Sequence, residues 1–308
     1  MSTTTPIAVP PARDRQAPRH FLRLSDLSAA ELAELLELAA AMKAEPLGWA
    51  GALRGQTLAM IFDKPSTRTR VSFAEASWRL GMLPQTLGRD DLQLGRGETV
   101  ADTARTLSAY CAAIAIRTFE QRTVEELAGA ASVPVINALT DEHHPCQVLA
   151  DLLTIRERFG RLEEIRVAFV GDGDNVANSL VEAAGLTGLE LTVATPRGFE
   201  PAIPGAALVA DPRTAASDAH VVYTDVWTSM GKEDERAARV FALAPYQVRP
   251  ELMRLARPDA IFLHCLPAHR GEEVVDEVLD GPQSLVWQQA ANRLPTEQAL
   301  LHTLTARF

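Results

Sequence analysis

Seven short, strongly apolar runs punctuate this chain, at 57–62, 112–116, 133–137, 166–170, 190–194, 220–224 and 260–263. Between most of them lie segments of helical periodicity, at 68–80, 99–110, 122–130, 147–158, 176–187 and 233–243. Runs of this length without polar alternation fit strands buried on both faces. A helix between strands supplies the crossover that a parallel neighbour requires. The expected fold class is α/β, with parallel sheets flanked by helices. A chain of 308 residues is long for one hydrophobic core. Two α/β domains joined by interdomain helices are therefore expected, over 21–145 and 146–286. A closing segment, 287–308, forms a last helix that returns to the first domain. Earlier, Ser28 and Glu31 have the spacing of a capping box ahead of Leu32, Leu35, Leu36 and Ala39. Residues 1–20, rich in Pro, Thr and Arg, read as a flexible tail without the apolar stretch of a signal peptide.

The formal net charge of -10 argues against nucleic acid and anionic membranes as partners, because both attract cations. No apolar run approaches the length of a membrane span. Positive charge for a small anionic ligand has to be gathered locally. The three cysteines, Cys111, Cys146 and Cys265, form no C-x-x-C pair, and no H-x-x-x-H spacing is present. Reduced thiols, a cytoplasmic location, no metal and no cofactor are the expectation.

The cations are gathered most densely at Ser66-Thr67-Arg68-Thr69-Arg70, where the first apolar run gives way to a helix. A helix N-terminus offers free backbone N–H groups and the positive end of the dipole. Hydroxyls add neutral donors, and planar guanidinium forks match phosphate oxygens. Lys64 adds a point charge just upstream. As a plain solvated first turn, this would be an unfavourable place for cations.

FDKPSTRTRVSFAEA, which contains this loop, resembles the carbamoyl-phosphate loop of the aspartate and ornithine carbamoyltransferases. DTARTLSAY (102–110), IRTF (116–119), LTDEHHPCQVLADLLTI (139–155), GDGDNVANS (171–179), DVWTSMG (225–231) and HCLP (264–267) then occur in the family's order and spacing. The resemblance implies that Ser66, Thr67, Arg68 and Thr69 hold the phosphate of carbamoyl phosphate, with Arg70 serving structure. It implies that Arg117 reaches both phosphate and carbonyl oxygen, a role suited to the end of a strand. In the H-P-x-Q pattern, His144 is the oxyanion donor, Gln147 offers an amide to the carbamoyl nitrogen, and Cys146 is packing. Arg293 resembles the arginine that returns from the last helix to carbamoyl phosphate. Gln93 is implied to reach the active site of a neighbouring subunit in a homotrimer.

The second half is implied to receive ornithine through Asn175, Asp225, Ser229 and Met230, with Cys265 and Leu266 beside the attacking amine. Asp174 stands where the family often has Asn. Arg117, His144, Asp225 and Cys265 are the implied catalytic set. The implied reaction is carbamoyl transfer from carbamoyl phosphate to the side-chain amine of ornithine, in arginine biosynthesis. The sibling alternative uses another amine, such as putrescine or acetylornithine. A rival from another class is a nicotinamide-dependent oxidoreductase, suggested by the turn at Gly171 and Gly173. It lacks the third glycine, has Val176 in its place and leaves the Ser66–Arg70 loop unexplained.

Overall fold

The computed structural model describes residues 17–94, 97–229, 231 and 233–306. Helix α1 (Ala29–Ala44) opens on the expected capping box: the Ser28 hydroxyl accepts the Glu31 N–H, and the Glu31 carboxylate accepts the Ser28 N–H. Strands β1 (Thr57–Phe62), β2 (Leu83–Gly88), β3 (Ala113–Arg117) and β4 (Val135–Leu139) form a parallel sheet of order β2-β1-β3-β4. Its helices are α2 (Arg68–Leu80), α3 (Val100–Tyr110) and α4 (Gln121–Ala130). Helix α5 (Pro145–Phe159) leads to the second sheet.

That sheet comprises β5 (Arg166–Val170), β6 (Glu190–Ala194), β7 (Ala207–Val209), β8 (Val221–Thr224) and β9 (Ile261–His264). It is parallel throughout, in the order β7-β6-β5-β8-β9. Helices α6 (Asn175–Thr187), α7 (Pro212–Ala216), α8 (Arg236–Leu243), α9 (Pro250–Met253) and α10 (Asp276–Leu279) accompany it. The last helix, α11 (Val286–Thr305), packs on α1, α2 and α5. Helix α5 is buried from Pro145 through Ile155, because α1, α6, α11 and β4 all pack against it. The two parallel sheets and their flanking helices give the fold class read from the sequence.

Two strands were not expected. β2 lies at an edge with its first residue exposed, and Pro84 and Gln85 break the apolar signature. Proline is tolerated there because an edge strand leaves one row of N–H groups unpaired. β7 has three largely exposed residues at the far edge of the other sheet. β4 starts after Pro134, two residues later than the expected 133–137, and runs on to Leu139. The segment expected as a helix over 233–243 opens with a 3-10 turn, Glu233–Glu235, before α8.

Residues 1–16 of the expected tail lie outside the described residues. Arg19 and His20 are tied down: Arg19 pairs with Glu31, and the His20 Nδ1 accepts the Val135 N–H. Phe21 then covers the free edge of β4, donating its N–H to Val135 and accepting that of Asn137, both at 2.8 Å.

The strand orders position the site. In the first sheet the chain reverses direction between β1 and β3, and in the second between β5 and β8. A crevice opens at the carboxyl ends of strands at such a reversal. Both crevices contribute to one cavity.

Candidate active site

The cavity has a volume of about 550 Å³. Its first wall comes from the β1–α2 loop. Lys64, Ser66, Thr67, Arg68 and Thr69 all line it. Ser66 caps α2 by accepting the Thr69 N–H at 3.2 Å, so the helix N-terminus opens on the cavity. Arg70 does not line it and instead lies over the Phe62 ring, 5.1 Å from its centroid. Lys64 is nearly buried, sits 4.3 Å from the Phe119 ring centroid and pairs with Asp141, a half-exposed carboxylate that offsets its charge at the cavity wall.

Arg117, the last residue of β3, enters beside this loop, and Arg293 arrives from α11. The Arg68 side chain donates to the Leu266 carbonyl at 2.7 Å, and among the described residues the Arg117 Nε is buried without a partner. Burial, then Arg293 and Arg68, push the Arg117 guanidinium down to about 10. Burial also lowers Arg68. Arg293 is different. Burial opposes its charge, but Glu297, at 2.6 Å, and nearby Cys146 and Asp151 raise it. Arg293 lowers both Arg68 and Arg117, and Arg68 lowers Arg117 further, so the three guanidinium groups set up a positive field that a dianion would relieve.

His144 stands at the start of α5, which opens with Pro145. Its backbone N–H donates to the Ser179 hydroxyl at 2.9 Å, while among the described residues its Nδ1 is buried without a partner. Burial, reinforced by Arg293, Arg117 and Arg68, holds its pKa well below the usual range. It is therefore a neutral imidazole at pH 7, able to donate one hydrogen bond without adding charge. Gln147, one turn further, does not line the cavity. Its Oε1 accepts from Arg293 at 2.9 Å, and its Nε2 donates to Asp151 at 2.8 Å.

The opposite wall is built at the β5 and β8 ends. Of the two glycines in the β5–α6 turn, Gly171 takes a φ of 128° that side chains rarely adopt, and Gly173 is required by packing. A Cβ on Gly173 would lie 2.5 Å from the Phe199 carbonyl and 2.6 Å from Pro201. Val176 is buried where a dinucleotide loop has its third glycine, so the close helix–strand packing of such a loop is not built here. Asn175 lines the cavity and donates to the Thr140 carbonyl at 2.7 Å, linking the two walls. Asp174 accepts from the Ser229 hydroxyl at 3.2 Å, so the departure from Asn orients a cavity residue. Met230 lies outside the described residues.

Asp225 follows β8 and Cys265 follows β9. The Cys265 thiol donates to the Asp225 Oδ1 at 2.8 Å. Burial, then Asp225, holds the thiol well above its ordinary range, so it stays protonated and acts as a donor. Burial also raises Asp225, although His264, Cys265 and the Val226 N–H partly oppose this. Leu266 has a left-handed φ of 59°, unfavourable for a branched side chain, which turns its carbonyl to Arg68. The His264 Nδ1 accepts the Leu266 N–H at 2.9 Å, and its Nε2 meets the buried Glu273 at 3.1 Å. Asp225, His264 and Cys265 present potential ligand atoms within 4.8 Å of one another. Both ring nitrogens of His264 are already used in these hydrogen bonds, which makes the cluster a poor cation site.

Most residues singled out in the sequence thus meet in one cavity. Gln147 stands behind it, and Gln93 is exposed and does not line the cavity of its own chain. The sequence reading missed Asp141, Arg236 and His269, which also line it. Asp141 lay inside a quoted block and could have been matched to Lys64. Arg236, the first residue of α8 and paired with Glu272, and His269, in the connection after β9, carry no motif of their own.

Comparison with known proteins agrees with this geometry. The family profile described as the aspartate/ornithine carbamoyltransferase carbamoyl-phosphate binding domain matches residues 19–157, and that of the aspartate/ornithine binding domain matches residues 163–304. The ornithine carbamoyltransferase of Acidothermus cellulolyticus is 52% identical over 300 residues, covering 93% of this chain and 96% of that one. That of Bacillus subtilis is 49% identical, covering 93% of each. The solved ornithine carbamoyltransferase from Pyrococcus furiosus superposes with a TM-score of 0.89 at 48% identity, covering 95% of this chain and 98% of that one. With both profiles matched in order on the two halves that build the cavity, the chain belongs to the aspartate/ornithine carbamoyltransferase family.

Proposed function

We propose that this protein transfers the carbamoyl group of carbamoyl phosphate to the side-chain amine of L-ornithine, giving L-citrulline and phosphate. The observation that carries this reading is one cavity with an arginine-rich helix N-terminus on one wall and the Asp225–Cys265 pair on the other. The phosphate binds Ser66, Thr67, Arg68 and Thr69, with Arg117 and Arg293 completing the cradle. Gln147 acts through Arg293, which it holds. Asn175, Ser229 and Met230 receive the α-amino and carboxylate end of ornithine.

An alkyl ammonium has a pKa of about 10.4, so a neutral amine costs about 4–5 kcal/mol at pH 7. The cationic field beside the cradle lowers that cost. Asp225 and the Cys265 thiol orient the amine. Its lone pair attacks the carbonyl carbon, and a C–N bond forms. Arg117 and the neutral His144 donate to the oxyanion. The C–O bond to phosphate then breaks, and the departing phosphate takes the nitrogen's proton. No step requires a metal or cofactor.

A homotrimer fits the exposed apolar residues Val71, Trp78, Leu83 and Tyr110, spread over α2, β2 and α3, and the position of Gln93 outside its own cavity. Light scattering at three chain masses tests it. A cytoplasmic location and a place in arginine biosynthesis go with this reading. The three cysteines are free, and among the described residues no helix is long and apolar enough to cross a membrane. The domain division follows the same logic: tail, then 21–145 for carbamoyl phosphate, 146–286 for ornithine, and the closing helix. The test of function is a ureido assay comparing ornithine with putrescine, acetylornithine and aspartate. Preference for any amine other than ornithine would overturn the assignment.

A further inference from the structure

The two walls of the cavity are joined from behind by a closed circuit of hydrogen bonds. Arg68 donates to the Leu266 carbonyl at 2.7 Å, and the Leu266 N–H donates to the His264 Nδ1 at 2.9 Å. The His264 N–H donates to the Gln289 Oε1 at 3.0 Å. The Gln289 Nε2 donates to the Asp151 Oδ1 at 2.7 Å, as does the Gln147 Nε2 at 2.8 Å. The Gln147 Oε1 accepts from Arg293 at 2.9 Å, and Arg293 donates to the Thr69 hydroxyl at 3.2 Å. Thr69 adjoins Arg68, and the circuit closes.

Its directions are forced. A guanidinium only donates, so Gln147 presents its oxygen to Arg293 and its NH2 to Asp151. A backbone N–H only donates, so Gln289 presents its oxygen to His264 and its NH2 to Asp151. Both amides converge on the same oxygen, and the Tyr223 hydroxyl takes the other at 3.1 Å. Asp151 and Gln289 are fully buried. Neither lines the cavity.

We propose that Asp151 and Gln289 are positioning residues for the transfer: they fix the spacing between the Arg293 guanidinium and the Cys265–Leu266 turn. The inference rests on the carbamoyl-transfer reading above. A reacting pair misplaced by a fraction of an ångström loses rate while each half-site still binds its own ligand. The effect therefore belongs in kcat.

The experiment measures citrulline formation by the full chain and two variants, with folding checked by near-UV circular dichroism. In Gln289→Leu, kcat falls at least about tenfold while both KM values move less than about threefold. In Gln289→Glu, the acceptor for His264 is kept, but two adjacent carboxylates cannot both ionise and must share a proton. Its kcat approaches the parent's at roughly pH 6 and falls toward roughly pH 9 as that proton is lost. The ionisable groups facing Asp151 are Tyr223 of β8, Arg293 of α11 and the Cys265 thiol after β9, all raised and constant in charge over that range. A Gln289→Leu kcat within twofold of the parent's overturns the proposal. So does a Gln289→Glu profile that superimposes on the parent's, and this arm decides alone if the leucine variant does not fold. A parent that forms no citrulline removes the functional reading itself, and the inference with it.

Discussion

Replacing Arg68 with Met removes one guanidinium and keeps most of the stem. In the free protein this side chain donates to the Leu266 carbonyl at 2.7 Å and otherwise faces the cavity. With carbamoyl phosphate bound it adds a charge-assisted fork to the phosphate, each bond contributing about 1.5–3 kcal/mol. Two such bonds amount to about 3–6 kcal/mol, so kcat/KM falls by about a hundredfold to ten-thousandfold. Stability responds differently. The push of Arg117 from 12.5 to about 10 corresponds to about 3 kcal/mol, and Arg68 ranks third among its causes, after burial and Arg293. Removing Arg68 returns about 1 kcal/mol of relieved repulsion. The lost Leu266 bond costs about as much. The ligand-free Tm therefore moves by less than about 3 °C. Phosphate at a hundredfold excess over its Kd stabilises the parent by about 2.7 kcal/mol, and this gain disappears in the variant. Initial rates and thermal melts with and without phosphate measure both halves. A variant that keeps kcat/KM within tenfold, or melts later with phosphate as the parent does, refutes the cradle.

Asp225→Asn keeps an acceptor for the Cys265 thiol but loses the charge beside the amine. Its kcat/KM for ornithine falls by about thirtyfold to a thousandfold, the equivalent of about 2–4 kcal/mol, while the Kd for carbamoyl phosphate stays within threefold; loss of both affinities together contradicts the division of the cavity. Asp151→Asn tests a stability profile. Burial, despite three hydrogen bonds, raises Asp151 from 3.8 to about 7, so the folded chain holds a proton that the unfolded chain has released. Stability therefore falls as pH rises from about 4 to about 7 and levels off above that. Glu297, also raised by burial to about 7, adds a slope of the same sign. The Asn variant should lose about half of the pH dependence of the urea midpoint over this window; an unchanged slope excludes Asp151 as its source.

Much of this architecture was legible because buried parallel strands have an unmistakable composition. β1, β3 and β5 are almost wholly buried and were read within a residue. β2 and β7 were missed because an edge strand needs neither apolar faces nor a full set of donors, and Pro84 is harmless there. In the site, Arg68 starts α2, Arg117 ends β3 and Asp225 follows β8, and a helix start or a strand end makes a charge conspicuous. Gln147 was matched by its motif, but the sequence could not show it turned toward Arg293 and Asp151 rather than the cavity. The circuit through Gln289 draws on α2, α5, α11 and the turn after β9. Its members lie far apart in the chain, and a buried Gln has the same signature as an exposed one until the helices are packed.

The position of α11 also orders events during synthesis. The first sheet is finished at Leu139, well before the chain reaches Arg293. Domains fold as they emerge from the ribosome, N-terminal part first. The early domain therefore waits with α1 and α2 uncovered by α11 while the second sheet is made, and its wall of the cavity lacks Arg293 beside Arg68 and Arg117. Docking of the final helix covers the groove and delivers Arg293 in a single movement, so the cavity gains its last-made arginine as the core is sealed.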